Sequence, residues 1–233
     1  MIPLRDTIQS RRLPLANYAI ILINILVLIH VQLLPPSEAE ALLQSRGVVP
    51  TRFLSEMGRA QLETLFTSMF LHGGWLHLIS NMWALYIFGD NIEDRLGAIQ
   101  YLLLYLTGGA IATLVHIQLN QGSSVPVVGA SGAIAAVMGA YLVSYPRARV
   151  LTFVPLPLVW FIKLPAVLYL LGWFALQLLS GLQTISLTTA DSAAGGIAWW
   201  AHVGGFLAGI LLILLLPGSR RPASGYLDEY RPW

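Results

Sequence analysis

Residues 129–146 read GASGAIAAVMGAYLVSYP, an apolar run that opens on glycine and serine and stops at Tyr145-Pro146. At 1.5 Å per residue its roughly 15 apolar residues cover about 22 Å of a membrane core about 30 Å thick. The run carries no charge, and Gly132, Ala136, Gly139 and Ala140 give it a small-residue surface. Such surfaces let neighbouring helices approach closely, so a short helix in the middle of a bundle is expected. Longer apolar runs lie on both sides, at roughly 17–34, 74–89, 99–118, 165–183 and 197–216. The expected fold class is an all-α polytopic membrane protein with six transmembrane helices, the short fourth one (131–145) central. Residues 1–16 and 217–233 are then tails, and 17–216 the membrane domain.

Composition agrees with that reading. Of 233 residues, 56% are hydrophobic and only 10% charged, with a mean hydropathy of +0.70. Soluble domains carry about a quarter charged residues. The chain contains no cysteine, which excludes disulfides, thiolate metal sites and a cysteine nucleophile. A net charge of +2 with no dense basic run speaks against nucleic acid as a partner.

Orientation follows from counting cations. Ten of the 13 Lys and Arg fall in the N-tail, the second and fourth loops and the C-tail, including Arg220, Arg221 and Arg231; only Arg46, Arg52 and Arg59 fall on the other side. The positive-inside rule makes both termini cytoplasmic. The Arg-heavy usage, with Lys163 the single lysine, points to a bacterial inner (plasma) membrane. The apolar stretch 150–162 is too short to span and is broken by Pro155 and Pro157, so an interfacial or re-entrant segment is expected there. In the first external loop, Ser37 and Glu40 have the spacing of a capping box for a short helix.

Ionisable and amide side chains inside spans are costly and mark functional sites. On the topology above, His77 and Asn81 lie roughly 5–10 Å along span two, His202 about 8 Å along span six, and Ser131 about 8 Å below the outer surface. Three separate segments thus bring polar groups to one depth. Ser131 would occupy the first helical turn, where backbone N–H groups lack intrahelical acceptors and favour an anion. Gly129 and Gly132 flank it, allowing close backbone approach. His202, Gly205 and Gly209 share one face of span six, which directs His202 towards the Ser131 helix. A serine beside a neutral imidazole is a nucleophile with its base, and His77, Asn81 and the Ser131 N–H are candidate oxyanion donors. No carboxylate lies at that depth: Glu93 is about 24 Å along span two from His77, and Asp191 is in the last external loop. A Ser–His dyad is therefore expected, with packing or a further hydrogen bond orienting the ring.

The segments FLHGGWLHLISN (70–81), GASG (129–132) and AHVGGFLAG (201–209) together resemble the three signature segments of rhomboid intramembrane serine proteases, in the same order and on the same spans. The resemblance implies Ser131 as nucleophile, His202 as general base, and His77 and Asn81 as oxyanion donors. It makes His72 a structural residue that ties the first loop to span two. It also implies single-span or membrane-anchored protein substrates cut near the outer face of the lipid bilayer, with no cofactor and no metal. DNIEDRLG (90–97) matches the family's acidic stretch, in which Glu93 would anchor the cytoplasmic loop. Two features depart from the pattern: Ala135 stands where many members have an aromatic residue packing on the histidine, and Arg52-Phe53 only loosely replaces a Trp-Arg pair.

Competing readings are weaker. A catalytically silent relative that binds membrane clients predicts loss of Ser131 or His202, and both are present. A transporter predicts intramembrane carboxylates and paired broken helices, and the spans hold neither. His30 and His116, near outer span ends, are expected to snorkel, and Trp75, Trp199 and Trp200 to form an interfacial aromatic belt. Trp173 and Phe174 are expected to pack against neighbouring helices, on a span that the resemblance makes a candidate substrate gate.

Overall fold

Each long apolar run forms a helix in the computed structural model, which describes residues 2–154, 160–186 and 198–217. The helices are α1 (Leu15–Leu33), α2 (Pro36–Arg46), α3 (Pro50–Ser55), α4 (Arg59–Thr67), α5 (Trp75–Leu96), α6 (Ala98–Leu119), α7 (Ser131–Ser144), α8 (Ala166–Ser186) and α9 (Trp199–Leu215), with a single 3-10 turn at Ser68–Phe70. Among the described residues, the helical segments Leu15–Leu33, Ala98–Leu119 and Ala166–Gln183 are long and apolar enough to cross a membrane. Helices α7 and α9 are apolar but shorter, and α5 ends in the charged segment Asp90–Arg95. Outward-facing leucines such as Leu26, Leu103, Leu168, Leu176 and Leu211 are exposed, an apolar surface that water would not tolerate at this extent.

Helix α7 is enclosed by its neighbours. Every residue from Gly132 to Tyr141 is buried, and α5, α6, α8 and α9 all pack against it. Its closest neighbour is α9. A Cβ on Gly205 would overlap the Gly132 carbonyl, and one on Gly209 would overlap the Ala136 carbonyl. The two backbones touch directly, which only glycine permits.

The most buried carboxylate has a different role from the one expected. Glu93 accepts hydrogen bonds from the backbone N–H groups of Ala16 at 3.0 Å and Asn17 at 2.7 Å. It therefore anchors the first turn of α1, whose unpaired N–H groups and dipole attract a negative charge, and not the loop after α5. Deeper in the same interface, Asn17 donates to the Leu85 carbonyl and accepts from the Tyr101 hydroxyl at 2.6 Å, so α1, α5 and α6 share one satisfied polar contact.

The all-α expectation needs correction. Strand β1 (Ile2–Asp6) pairs antiparallel with β2 (Arg149–Phe153), which pairs antiparallel with β3 (Phe161–Pro165). The segment taken as interfacial or re-entrant is thus largely a pair of strands, with 155–159 outside the described residues. Its pattern is that of a half-buried strand, Val150 and Thr152 fully buried between more exposed neighbours. A hydropathy window averages out that alternation, and the partner β1 is about 145 residues away in sequence. The Ser37–Glu40 capping box also fails: α2 starts at Pro36, two residues before the start that Ser37 as N-cap would give, with no side-chain cap. Proline suits that position because it has no N–H to satisfy. Asp191, Arg220, Arg221 and Arg231 lie outside the described residues.

Strand β1 is tied to the helices by polar contacts. The Trp83 indole donates to the Pro3 carbonyl at 2.6 Å, the Asn91 amide donates to Asp6 at 2.8 Å, and the Tyr141 hydroxyl of α7 also donates to Asp6. Burial pushes the Asp6 carboxyl up from 3.8 to about 7; the Tyr141 hydrogen bond opposes the rise and the charge of Asp90 adds to it. A carboxyl raised on folding binds its proton more tightly in the native state. Its contribution to stability is therefore complete below about pH 4 and is lost as pH rises through about 7.

Two outcomes are expected. Thermal unfolding in micelles should lose stability between about pH 4 and 7 in the wild type, and Asp6→Asn should flatten that dependence; equal slopes in the two proteins would rule out Asp6 as its source. Gly209→Leu should destabilise by about 3 kcal/mol or prevent folding, because α7 and α9 cannot separate without opening the core.

Candidate active site

The site begins with a loop whose backbone is tied to the first loop and to the 3-10 turn. Between α6 and α7, Val127 exchanges two backbone hydrogen bonds with Val48, the Ser123 carbonyl accepts from Thr51, and the Gly129 N–H donates to the Ser68 carbonyl at 2.9 Å. These bonds let an irregular segment lie against the first loop without stranded polar groups. Phe53 supports it from below, buried with Val48, Leu65 and Ile117. Neighbouring Arg52 donates to the Gln44 carbonyl, so Arg52-Phe53 does brace the first loop.

The loop delivers Ser131 as the first residue of α7. The first intrahelical bond is from the Ile134 N–H to the Ala130 carbonyl, which leaves the N–H groups of Ser131, Gly132 and Ala133 without helical acceptors. Gly129 has φ 130°, a backbone conformation that side chains rarely adopt. A Cβ there would lie 2.8 Å from His77 Cε1 and Nε2, and 3.7 Å from Asn81 Nδ2. His77 and Asn81 therefore approach the chain two residues before the serine. The Asn81 amide nitrogen is buried and has no hydrogen-bond partner.

From the other side, the α7–α9 contact brings His202 to the same cavity. A Cβ on Gly132, adjacent to Ser131, would lie 3.7 Å from both Cβ and O of Ala201, adjacent to His202. Ser131, His202, His77, Asn81 and Gly129 all line one cavity of about 1130 Å³. The His202 ring is hydrogen-bonded to Gln177 and not to the Ser131 hydroxyl. His72 is buried and meets His77 edge-on at 5.0 Å between ring centroids. Neither of its ring nitrogens has a hydrogen-bond partner, so it supports the site by packing.

Four side chains at this site were not singled out as functional by the sequence reasoning. Gln177 of α8 sets its Oε1 2.7 Å from His202 Nδ1. Trp173, one turn earlier, lies 5.8 Å from the His202 ring, and Trp199 meets that ring edge-on at 6.2 Å. His116 is buried and lines the cavity; its carbonyl accepts from the Asn120 amide at 2.9 Å. The snorkelling expected of His116 is thus corrected, whereas His30 is exposed. Of the expected belt, Trp75 is exposed, but Trp200 is buried against Gly181. Gln177 did leave a trace, an amide in mid-run one helical turn after a tryptophan. Among the described residues, no cluster of His, Asp or Glu is arranged to hold a metal ion.

A family model for the rhomboid domain matches residues 59–219. The chain belongs to the rhomboid family. It is 36% identical over 173 residues to RHOMBOID-like protein 6, mitochondrial, of Arabidopsis thaliana, covering 72% of this chain and 47% of that protein. Presenilin-associated rhomboid-like protein A, mitochondrial, of Danio rerio is 32% identical over 176 residues (70% and 41%). Rhomboid protein 1, mitochondrial, of Saccharomyces cerevisiae is 31% identical over 157 residues (64% and 40%). The chain therefore spans less than half the length of these relatives. They are eukaryotic and named as mitochondrial, and they lend the expected bacterial type no support.

Membership makes the loop geometry testable. Gly129→Ala should push His77 aside and strain the turn into α7. If the cavity is the active site, the rate should fall about a hundredfold, the usual cost of misplacing a reacting group by about 1 Å, alongside a loss of about 1–3 kcal/mol in stability from the strained backbone. Full activity in Gly129→Ala would show that the His77 position does not matter.

Proposed function

We propose that this rhomboid family member is an intramembrane serine endopeptidase in which Ser131 is the nucleophile and His202 the general base. The observation that carries the reading is the buried, unpaired Asn81 amide nitrogen beside Gly129, on the wall of the cavity that Ser131 and His202 also line. An unsatisfied buried donor costs about 1–3 kcal/mol. A developing oxyanion next to Ser131 would satisfy it, together with His77 and the free N–H groups of the first α7 turn.

The chemistry follows in order. His202 takes the hydroxyl proton as Ser131 Oγ attacks the scissile carbonyl carbon, and the oxyanion collects the donors. The ring then protonates the leaving amine, and water hydrolyses the acyl-enzyme with His202 again as base. Substrates are membrane-anchored proteins cut in or beside a transmembrane segment, as the family's mode of action suggests. Helices α1, α5, α6, α8 and α9 act as spans around a sixth, shorter and central one, α7, with the cavity towards the outer face. Both termini face the side on which Lys and Arg accumulate, the cytoplasm for a plasma membrane and the matrix for a mitochondrial inner membrane.

The minority charges of the first loop fit that orientation. Arg59 and Arg46 both pair with Glu63, at 3.0 and 3.8 Å, which lowers the positive charge on the outer side.

The test is reconstitution of purified protein with a labelled single-span substrate. Wild type should cleave, whereas Ser131→Ala and His202→Ala should lose at least about 10³-fold in rate, and a fluorophosphonate should label Ser131 only when His202 is present. If both variants cleave as fast as wild type, the protease reading fails. A wild type that binds the substrate but neither cleaves it nor takes the label would favour a silent client-binding protein.

A further inference from the structure

The histidine of a Ser–His pair must present an unprotonated nitrogen to the serine. In triads a carboxylate ensures this by accepting the proton on the other ring nitrogen. Among the described residues no carboxylate reaches His202, and Ala135 provides no ring to pack on it. Resting on the protease reading above, we infer that Gln177 takes that place as a positioning residue, holding Nδ1–H of His202 with its amide oxygen so that Nε2 is the free base.

The geometry supports each part of this. Gln177 Oε1 lies 2.7 Å from Nδ1, well within hydrogen-bond range. With Oε1 turned towards the ring the amide accepts, and the ring donates from Nδ1. Gln177 is itself buried, where a competing water is excluded and an unmade bond would cost most. Aromatic contacts hold the ring plane: Trp173 lies 5.8 Å from the His202 ring and 6.1 Å from Phe206. Those contacts fix where the ring lies but not which nitrogen carries the proton. That selection falls to Gln177.

Chemistry also favours an amide over a carboxylate at this depth. A buried carboxylate without a permanent cationic partner is costly in a low-dielectric interior, whereas an amide accepts the same hydrogen bond with no charge to desolvate. Trp173 and Gln177 are spaced i, i+4, so one face of α8 supplies both the plane and the acceptor.

The test compares wild type, Gln177→Met and Gln177→Glu in the same reconstituted cleavage assay, with ¹⁵N NMR of histidine-labelled protein to identify the protonated ring nitrogen. The His202 resonance is assigned by its loss in His202→Ala. In wild type, Nδ1 should be protonated and Nε2 bare. Gln177→Met, which fills the space without accepting, should lower kcat about 10- to 100-fold with KM changed less than about twofold, and should lose the Nδ1–H signature. Gln177→Glu, which restores an acceptor, should recover most of kcat.

A wild-type ring protonated on Nε2 overturns the proposal, since the amide would then be donating. So does full activity in Gln177→Met, or a stably folded Gln177→Glu no faster than Gln177→Met. Should Gln177→Met not fold, the wild-type ring and Gln177→Glu still decide. A wild type that neither cleaves nor takes the fluorophosphonate overturns the protease reading and this one with it, whereas a cleaving wild type with an indifferent Gln177 overturns this one alone.

Discussion

Helices α7 and α9 meet backbone to backbone because Gly205 and Gly209 have no side chains to hold the carbonyls of Gly132 and Ala136 away. Much of the site depends on that contact. It sets the serine-bearing turn beside the histidine-bearing turn, since Ser131 precedes Gly132 and His202 follows Ala201 by one residue each. In a bilayer, the hydrophobic effect does not press one apolar helix against another, so close packing and shared polar contacts must hold the bundle together. The α7–α9 contact supplies the first. The Glu93 and Asn17 contacts to α1, α5 and α6 supply the second.

Two buried asparagines differ in whether the fold satisfies their amides. Asn17 has both ends of its amide engaged, by Leu85 and Tyr101, and simply fastens three helices. Asn81, also buried, leaves its amide nitrogen unpaired next to Gly129. Folding alone gives no reason to bury such a donor, because the lost hydration is not repaid within the protein. A reaction that generates negative charge at that point would use it, and so the deficit is informative where the satisfied amide is not.

What could be read from the sequence was what local pattern encodes. Hydropathy runs located the helices to within a few residues, except that α5 continues through its acidic stretch to Leu96. The Gly-Ser opening of 129–146 announced the first turn of α7. Contacts made only by the folded chain were not legible. Strand β1 is five residues containing a proline and two charges, and nothing in it names β2 as its partner. His116 was placed near a span end, but the folded chain buries it on the cavity wall. The role of Glu93 as a cap for α1 depends on which helix start lies beside it, which spacing along α5 does not reveal.

The position of the His202 acceptor adds a last consequence. Gln177 sits on α8, the least buried of the three helices long enough to span, whereas Ser131 sits on the most enclosed helix of the fold. On the proposed chemistry, the nucleophile is then fixed by the core, and the orientation of its base is set from the periphery. Any displacement of α8 away from α9 would remove Trp173 and Gln177 from the ring together, because both are carried on one helical face. The base would then keep its place on α9 but lose the partner that selects its tautomer. A proton-transfer geometry that depends on a peripheral helix is complete only when that helix is seated, which links the packing of α8 against α9 directly to the competence of the site.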